Sequence, residues 1–154
     1  MNFETFQMIQ HIVEFDCKRQ VICCYSVAPT ESTIFDYHFR DFAVIPGALL
    51  TETIAQAAGH LSLLTCDFKQ VALFSSIDKA RFREFVLPGD ELTIQCQCTQ
   101  QGSGYSAYSG AIYVKDKKCI EAKFRLREMP FPNEKMKQHL KSLVMSRINE
   151  NTRR

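Results

Sequence analysis

The stretch HFRDFAVIPGALLTETIAQAAG, residues 38–59, decides the fold of this chain. Its second half predicts an α-helix that begins at Pro46, because the missing N–H of proline is harmless at the first helical position. Apolar and small side chains then cover well over half of the helix circumference, which is typical of a helix enclosed by protein. Glu52 nevertheless falls in the second turn, and a carboxylate in such a place must be paired, hydrogen-bonded or protonated.

Most of the remaining sequence predicts β-strands. Residues 90–100 alternate between apolar and polar side chains, with Leu92, Ile94, Cys96 and Cys98 on the apolar face. Further strands are predicted at residues 19–29, 71–82, 105–116 and 119–128, and an extended approach to the helix at residues 32–39. Period-two alternation separated by turn signals indicates an antiparallel sheet. We therefore expect an α+β fold with the sheet wrapped around the helix, and a terminal amphipathic helix at residues 133–149.

The composition excludes several classes of function. The 154 residues suit one domain, and the net charge of +2 without a basic cluster among aromatic residues argues against nucleic-acid binding. The sequence contains no apolar run of about 18 residues, which a membrane span would need, and it shows no secretory signal. We therefore expect a cytoplasmic protein. Its seven cysteines are then expected to be reduced, and their spacing matches no metal site. We interpret Cys23, Cys24, Cys96 and Cys98 as small core residues.

His38 and Glu52 are the first candidates for catalytic residues. A histidine next to a carboxylate forms an acid–base pair that titrates near neutral pH. The alternative is that Glu52 lies on an exposed edge of the helix and that His38 is a core residue with satisfied hydrogen bonds. Gly47 favours the catalytic interpretation, because uncovered N–H groups at a helix N-terminus can polarise a carbonyl. A Pro-Gly pair is also a common way to open a helix, so this last signal is not specific.

The other histidines and the basic C-terminal residues carry no further motif. His60 shares a helix face with Glu52 and Gln56, but we interpret it, like His11 and His139, as a structural or solvent-exposed residue. Basic residues concentrate near the end of the chain, among them Arg147, Arg153 and Arg154. We interpret them as the solvated side of a helix and a tail.

Two segments resemble the hallmarks of the hotdog-fold β-hydroxyacyl-acyl-carrier-protein dehydratases. The family motif runs His-Phe-Pro-Gly, a spacer and Pro-Gly, then a helix with Glu or Asp five residues after the glycine and Gln four residues further on. This sequence has His38-Phe39, Pro46-Gly47, Glu52 and Gln56 at those positions. The segment SSIDKARFREFVLPGDEL, residues 75–92, is similar to the family's Asp-Lys-Ala-Arg-Phe strand and Pro-Gly-Asp turn.

The resemblance implies a hotdog-fold domain over residues 1–130. The amphipathic helix and basic tail that we expect at residues 131–154 lie outside the resemblance. The resemblance also implies dimers, often assembled into hexamers as trimers of dimers, whose active sites take the histidine from one subunit and the carboxylate from the other. The sequence departs from the family after Phe39, where Arg40 and Asp41 replace Pro and Gly and change the backbone preferences beside the histidine. The resemblance therefore leaves the identity of the substrate open.

The activity that the resemblance implies is that of a hydro-lyase. A 3-hydroxyacyl-[acyl-carrier-protein] loses water to give the trans-2-enoyl thioester, in fatty-acid or in specialised lipid or polyketide biosynthesis. His38 is the implied base, Glu52 orients or protonates the departing hydroxyl, and the N–H of Gly47 polarises the thioester carbonyl. The residues expected to contact substrate are Gln56, Phe39 and Pro46.

The implied partner is an acidic acyl carrier protein, which delivers the acyl chain on its phosphopantetheine arm. No metal or redox cofactor is implied, because dehydration of a thioester needs only an acid, a base and a polarised carbonyl. Charge complementarity makes four arginines candidates for docking the carrier. They are Arg81, Arg83, Arg125 and Arg127, and the basic C-terminal helix is a further candidate.

Two other functions stay open at this point. A hotdog thioesterase hydrolyses the thioester with a carboxylate on the same helix, although the presence of both His38 and Glu52 favours a dehydratase. A catalytically silent subunit would bind acyl chains or pair with a second dehydratase, and the altered Arg40-Asp41 segment is compatible with that function. The reaction product distinguishes the three: an enoyl thioester, a free thiol, or none.

Overall fold

The computed structural model describes residues 1–148, which form a six-stranded antiparallel sheet and two α-helices. The strands are β1 (His11–Asp16), β2 (Val21–Val27), β3 (Val71–Phe82), β4 (Glu91–Gly102), β5 (Tyr105–Val114) and β6 (Lys117–Met129), and the helices are α1 (Gly47–Thr65) and α2 (Glu134–Arg147). The strands lie in the order β1-β2-β4-β5-β6-β3, so β1 and β3 form the two edges. The predicted α+β architecture, an antiparallel sheet around a central helix with an additional C-terminal helix, is confirmed.

The sheet encloses one side of α1. In β4, Leu92, Ile94 and Cys96 point to the interior and are buried, as the alternation of the sequence predicts. Ile54 of α1 is fully buried and lies against Gly110 of β5, where an added Cβ would overlap the Cγ2 atom of the isoleucine. The missing side chain at Gly110 therefore sets how closely the helix approaches the sheet.

The segment before α1 differs from the prediction. Pro46 is not helical, since its ψ of 134° is that of extended backbone, and α1 begins one residue later at Gly47. Residues 32–39 are not extended throughout, because Thr33–Asp36 form a 3₁₀ turn. The side chain of Ser32 accepts a hydrogen bond from a main-chain N–H of that turn, which is the usual role of serine before a helical turn.

The first two strands also correct the prediction. β1 was not predicted, because only Ile12 of this strand is fully buried and a bulge between Ile12 and Glu14 interrupts the alternation. In β2 the alternation buries Cys24 and turns Cys23 to the opposite face, where it is half-buried. The interpretation of Cys23 as a core residue was therefore wrong, while Cys24 is in the core as predicted.

The N-terminal residues and α2 cover the side of α1 that the sheet does not reach. Met8 is fully buried, and Val144 of α2 enters the core with no exposed surface. Directly after α2, Ile148 forms a parallel bridge with Ile12 of β1. The terminal helix is thus present as predicted, while the predicted basic tail, residues 149–154, lies outside the described residues.

Neither helix within residues 1–148 is both long and apolar enough to cross a lipid bilayer. The proposed division of the chain at residue 130 stays a prediction.

Replacing Gly110 by alanine is expected to lower the free energy of unfolding by about 1–3 kcal/mol, because the new methyl group must displace Ile54 in a packed core. Gly59→Ala is the matched control, since a Cβ at Gly59 meets no atom within 4 Å and alanine favours a helix by up to about 1 kcal/mol. Urea unfolding followed by circular dichroism measures both variants. Equal effects of the two substitutions would contradict the close contact at Gly110.

Candidate active site

Glu52 lies on the side of α1 that faces away from the sheet, and it is half-buried. Gln56, one turn later, donates a hydrogen bond from Nε2 to Oε1 of Glu52 over 3.0 Å. The same Nε2 donates to the carbonyl oxygen of Phe6 at 2.9 Å, and Oε1 of Gln56 accepts from the N–H of Met8 at 3.2 Å. A flipped amide would place its oxygen against two acceptors, so the orientation of Gln56 is fixed.

His38 follows the 3₁₀ turn. Its N–H donates to the carbonyl oxygen of Ile34 at 2.9 Å, and the peptide bond between His38 and Phe39 is cis. The imidazole lies beside the ring of Phe39, with ring centroids 4.5 Å apart. Within residues 1–148 the buried Nδ1 atom of His38 has no hydrogen-bond partner. Most buried polar atoms in proteins have one, so this nitrogen is available to a group outside the described chain.

The N-terminus of α1 presents main-chain N–H groups without a side-chain cap. The N–H groups of Leu49 and Leu50 donate to the carbonyl oxygen of Pro46, whereas that of Gly47 donates to no acceptor within residues 1–148. A Cβ at Gly47 would lie 2.6 Å from Cε1 of Phe82, so the glycine lets this ring approach the helix terminus. A free N–H at this end of a helix can stabilise negative charge on a carbonyl oxygen.

Phe82, which lies against Gly47, and three aromatic residues of neighbouring chain segments are exposed. Phe39 is 59% exposed and Phe82 is 57% exposed. Phe42 and Phe85 are also exposed and pack edge to face, with ring centroids 5.6 Å apart. Exposed apolar clusters of this kind mark binding surfaces. Only Phe39 was predicted from the sequence to contact substrate, because aromatic residues scattered over two loops and a strand share no periodicity.

The described chain brings some of the predicted site residues together and leaves others apart. Glu52 is hydrogen-bonded to Gln56, and Gly47 directly follows Pro46. Within residues 1–148, no hydrogen bond or ion pair joins His38 to Glu52. Their catalytic roles, and the predicted substrate contacts, stay predictions.

His60 and Arg147 form a buried polar pair that was not predicted from the sequence. Nη1 of Arg147 lies 2.7 Å from Nε2 of His60, and each residue is only 6% exposed. Because a guanidinium only donates, Nε2 must accept and the imidazole is neutral. Burial first, and then the charge of Arg147, lower the pKa of His60 to about 3. The interpretation of Arg147 as a solvated residue was wrong, although its spacing from Leu143 and Val144 places it on the apolar side of α2.

The four arginines proposed for docking lie on the exposed face of β3 and β6, or directly after β3. Arg83 pairs with Glu121 at 2.7 Å, and Arg81 approaches the same carboxylate at 3.9 Å. Arg125 pairs with Asp78 at 3.3 Å. Arg127 alone among the four has no ion pair within residues 1–148.

Within residues 1–148, no cysteine forms a disulfide or belongs to a group placed to hold a metal ion. All seven are free, and the described residues contain no group of three or more His, Cys, Asp or Glu side chains placed to hold a metal ion. Burial raises the pKa of the Cys24 and Cys96 thiols well above the usual value. These two side chains are therefore core residues rather than nucleophiles.

Comparison with known proteins defines the class. Residues 2–123 match the family model described as FabA-like domain. The 3-hydroxyacyl-[acyl-carrier-protein] dehydratase FabZ of Symbiobacterium thermophilum is 34% identical over 130 residues, which cover 82% of this chain and 91% of that protein. The FabZ dehydratase of Staphylococcus carnosus is 37% identical over 99 residues, or 63% of this chain and 67% of that protein. A solved thioesterase structure from Haemophilus influenzae has a TM-score of 0.61 at 13% identity, covering 79% of each chain.

The structural likeness, at so low an identity, shows the fold alone. The antiparallel sheet around a long central helix is therefore a hotdog fold, as the motif resemblance implied. The chain belongs to the FabA-like domain family. The helix α2 and its Arg147 lie beyond the matched region.

Lowering the pH is expected to destabilise the protein through His60. Its pKa of about 3 in the fold lies below the ordinary value of about 6.5, so the unfolded chain binds the proton first. Stability from this group is complete above pH 6.5 and falls as the pH drops towards 3, by roughly 2 kcal/mol between pH 7 and pH 5. Urea unfolding at both pH values should show this loss in the wild type.

The loss should shrink in His60→Gln, whose amide oxygen still accepts from Arg147 but does not titrate. His139→Gln, at an exposed histidine, is the control and should keep the wild-type dependence. Identical pH dependence in the wild type and His60→Gln would show that His60 is not held neutral.

Proposed function

We propose that this chain is a 3-hydroxyacyl-acyl-carrier-protein dehydratase, a cytoplasmic hydro-lyase that forms a trans-2-enoyl thioester. One observation carries the proposal. The chain is FabA-like and is 34% identical over 130 residues to a FabZ dehydratase. It holds Glu52 through Gln56 beside an uncapped helix terminus, and it also has a histidine, His38, at the family position. The acyl chain arrives on the phosphopantetheine arm of the carrier, and the chemistry uses no metal or redox cofactor. Which acyl substrate the enzyme accepts will show whether it belongs to fatty-acid synthesis or to a specialised lipid or polyketide pathway.

A second copy of the chain completes the site in this proposal. β3 is an edge strand of twelve residues, and Phe74 and Ile77 on it are 47% and 45% exposed. A long edge strand with exposed apolar side chains tends to pair with another strand. Pairing of two β3 edges gives a symmetric dimer, in which His38 of one protomer faces Glu52 of its partner. Three such dimers form the larger hexamer.

The proposed reaction removes a proton from C2 and a hydroxyl group from C3 of the substrate. His38 takes the C2 proton, the electron pair of the C–H bond forms the C2–C3 double bond, and the C3–O bond breaks. Glu52 orients the hydroxyl and gives it the proton with which it leaves as water. The N–H of Gly47 stabilises the negative charge that develops on the thioester oxygen. A proton then passes from His38 back to Glu52 and restores the enzyme.

Docking of the acidic carrier is proposed on the outer face of β3 and β6. Arg127 supports this proposal most directly, because within the described residues no carboxylate neutralises it. Arg81, Arg83 and Arg125 are already paired with carboxylates of the same chain, which weakens their attraction for a partner. The charge available to the carrier is thus concentrated towards the end of β6.

His38→Ala and Glu52→Gln are each expected to lower kcat by roughly 10²- to 10⁴-fold, because each removes a proton-transfer group. The assay follows the absorbance of the conjugated enoyl thioester with a short 3-hydroxyacyl substrate, in both directions. His139→Gln is the control and should keep full activity. Release of a free thiol would instead support a thioesterase, and no turnover of short or medium chains would support a silent acyl-binding or partner subunit.

The same two variants test whether the site is shared between subunits. After subunit exchange in an equal mixture of His38→Ala and Glu52→Gln, each mixed dimer has one site with both native residues. The mixture should recover up to about one quarter of wild-type activity, since half of the dimers are mixed and half of their sites are intact. No recovery, despite demonstrated exchange, would mean that one chain forms the whole site.

Reversing the charge of Arg127 is expected to raise KM for a carrier-bound substrate about tenfold, with kcat unchanged, because the carrier meets a repulsive charge instead of an attractive one. KM for the same acyl group on a small thiol should not change. Lys18→Glu, in the turn between β1 and β2 at the opposite edge of the sheet, is the charge-matched control. Equal KM values for Arg127→Glu and Lys18→Glu would place the docking surface elsewhere.

A further inference from the structure

The first residues of the chain form a closed loop, which we call the N-terminal loop, residues 2–8. Two main-chain hydrogen bonds between Asn2 and Gln7, of 2.8 and 2.9 Å, close it. Phe3 and Met8 at its two ends are buried in the core. The loop is therefore anchored on both sides and can hold the groups between them in fixed positions.

Phe6, at the tip of this loop, has an uncommon backbone conformation. Its φ of 54° lies in the left-handed region, which residues other than glycine seldom adopt. Packing of the side chain does not explain it, because Phe6 is 60% exposed. The conformation instead directs the carbonyl oxygen of Phe6 to Nε2 of Gln56. Strained backbone of this kind is concentrated at functional sites.

The hydrogen bond that Gln56 donates to Phe6 matters because it determines which groups the rest of the Gln56 amide can bind. One N–H is held by Phe6 and the amide oxygen is held by Met8, so the remaining N–H points to Oε1 of Glu52. Without the carbonyl of Phe6, the amide could rotate about its terminal torsion and release the carboxylate. Two main-chain groups of the N-terminal loop thus determine where Glu52 is held.

The N-terminal loop also reaches the segment that leads to His38. Oε1 of Glu4 accepts hydrogen bonds from Oγ of Ser32 at 2.8 Å and from the N–H of Thr33 at 3.3 Å. Thr33 begins the 3₁₀ turn in which the carbonyl of Ile34 accepts the N–H of His38. The hydrogen bond from Ser32, the largest contribution, lowers the pKa of the Glu4 carboxyl, so this anchor is charged at neutral pH.

We propose that the N-terminal loop is a positioning element of the active site, in which the carbonyl of Phe6, held at positive φ, orients Gln56 and through it Glu52. This inference rests on the proposed dehydratase function. It assigns to main-chain groups, which no sequence motif contains, a role in holding the catalytic carboxylate. The role depends on the backbone conformation at Phe6 and not on its aromatic ring.

A matched pair of substitutions separates backbone from side chain. Phe6→Pro fixes φ near −65° and removes the N–H that donates to Phe3, so the carbonyl must turn away. Phe6→Gly adopts positive φ without strain and keeps the carbonyl in place. Both variants lose the ring. We expect Phe6→Pro to lower kcat roughly 10- to 100-fold with little change in KM, and Phe6→Gly to keep kcat within about twofold of the wild type.

A double-mutant cycle tests whether the loop acts through Gln56. In a Gln56→Ala background, Phe6→Pro should lower kcat no further, because the link to Glu52 is already absent. A merely structural effect of proline would lower kcat in both backgrounds. Should Phe6→Pro not fold, Phe6→Val serves in its place, since a β-branched side chain strongly disfavours positive φ.

Exchange of the Gln56 side-chain amide protons with water, measured by NMR, gives a readout that needs no turnover. Exchange should be slow in the wild type and in Phe6→Gly, and at least tenfold faster in Phe6→Pro, because the hydrogen bond to Phe6 is lost. This result would stand even if the dehydratase assay failed, so the two proposals are separable. Equal kcat in the proline and glycine variants of an enzyme that turns over, or equal amide exchange, would overturn the positioning role.

Discussion

A curved sheet reaches only one side of the helix that it encloses, and the rest of this structure follows from that constraint. On the enclosed side of α1, Ile54 packs against Gly110 with no room for another methyl group. On the other side lie Glu52, Gln56 and His60, whose polar atoms need partners from elsewhere. The N-terminal loop supplies partners for Gln56 and α2 supplies one for His60, and both elements lie outside the sheet.

The polar side of α1 changes character along its length. His60, two turns after Glu52, is sealed by Arg147 and held neutral in the interior. Gln56 is occupied on both sides by main-chain groups. Glu52 has one oxygen held by Gln56 and lies nearest to the uncapped end of the helix at Gly47. The side chains of this face are thus buried at His60 and only half-buried at Gln56 and Glu52.

The sequence predicted those features that side-chain patterns encode. Alternation in β4 and the wide apolar surface of α1 specify the architecture, because burial acts on each side chain separately. Motif spacing made Glu52, Gly47 and His38 candidate site residues, and their roles stay proposals. The carbonyl of Phe6 carries no side-chain signature, so no pattern could reveal it. Arg147 was misinterpreted because it stands among basic residues that were expected to be solvated. Its spacing from Leu143 and Val144 nevertheless places it on the apolar side of α2. The 3₁₀ turn before His38 was missed despite the capping serine, because a single turn has too few residues to show a period.

The edge strand β3 divides into two halves with different surface chemistry. From Asp78 to Arg81 it carries charges of both signs, which discourage unspecific strand pairing. The preceding half exposes Leu73, Phe74 and Ile77, and no charged residue lies between them. A newly synthesised chain therefore has a short aggregation-prone segment that stays open until it is covered. For this chain, the concentration at which it is made and kept therefore sets how often that segment meets another exposed apolar surface.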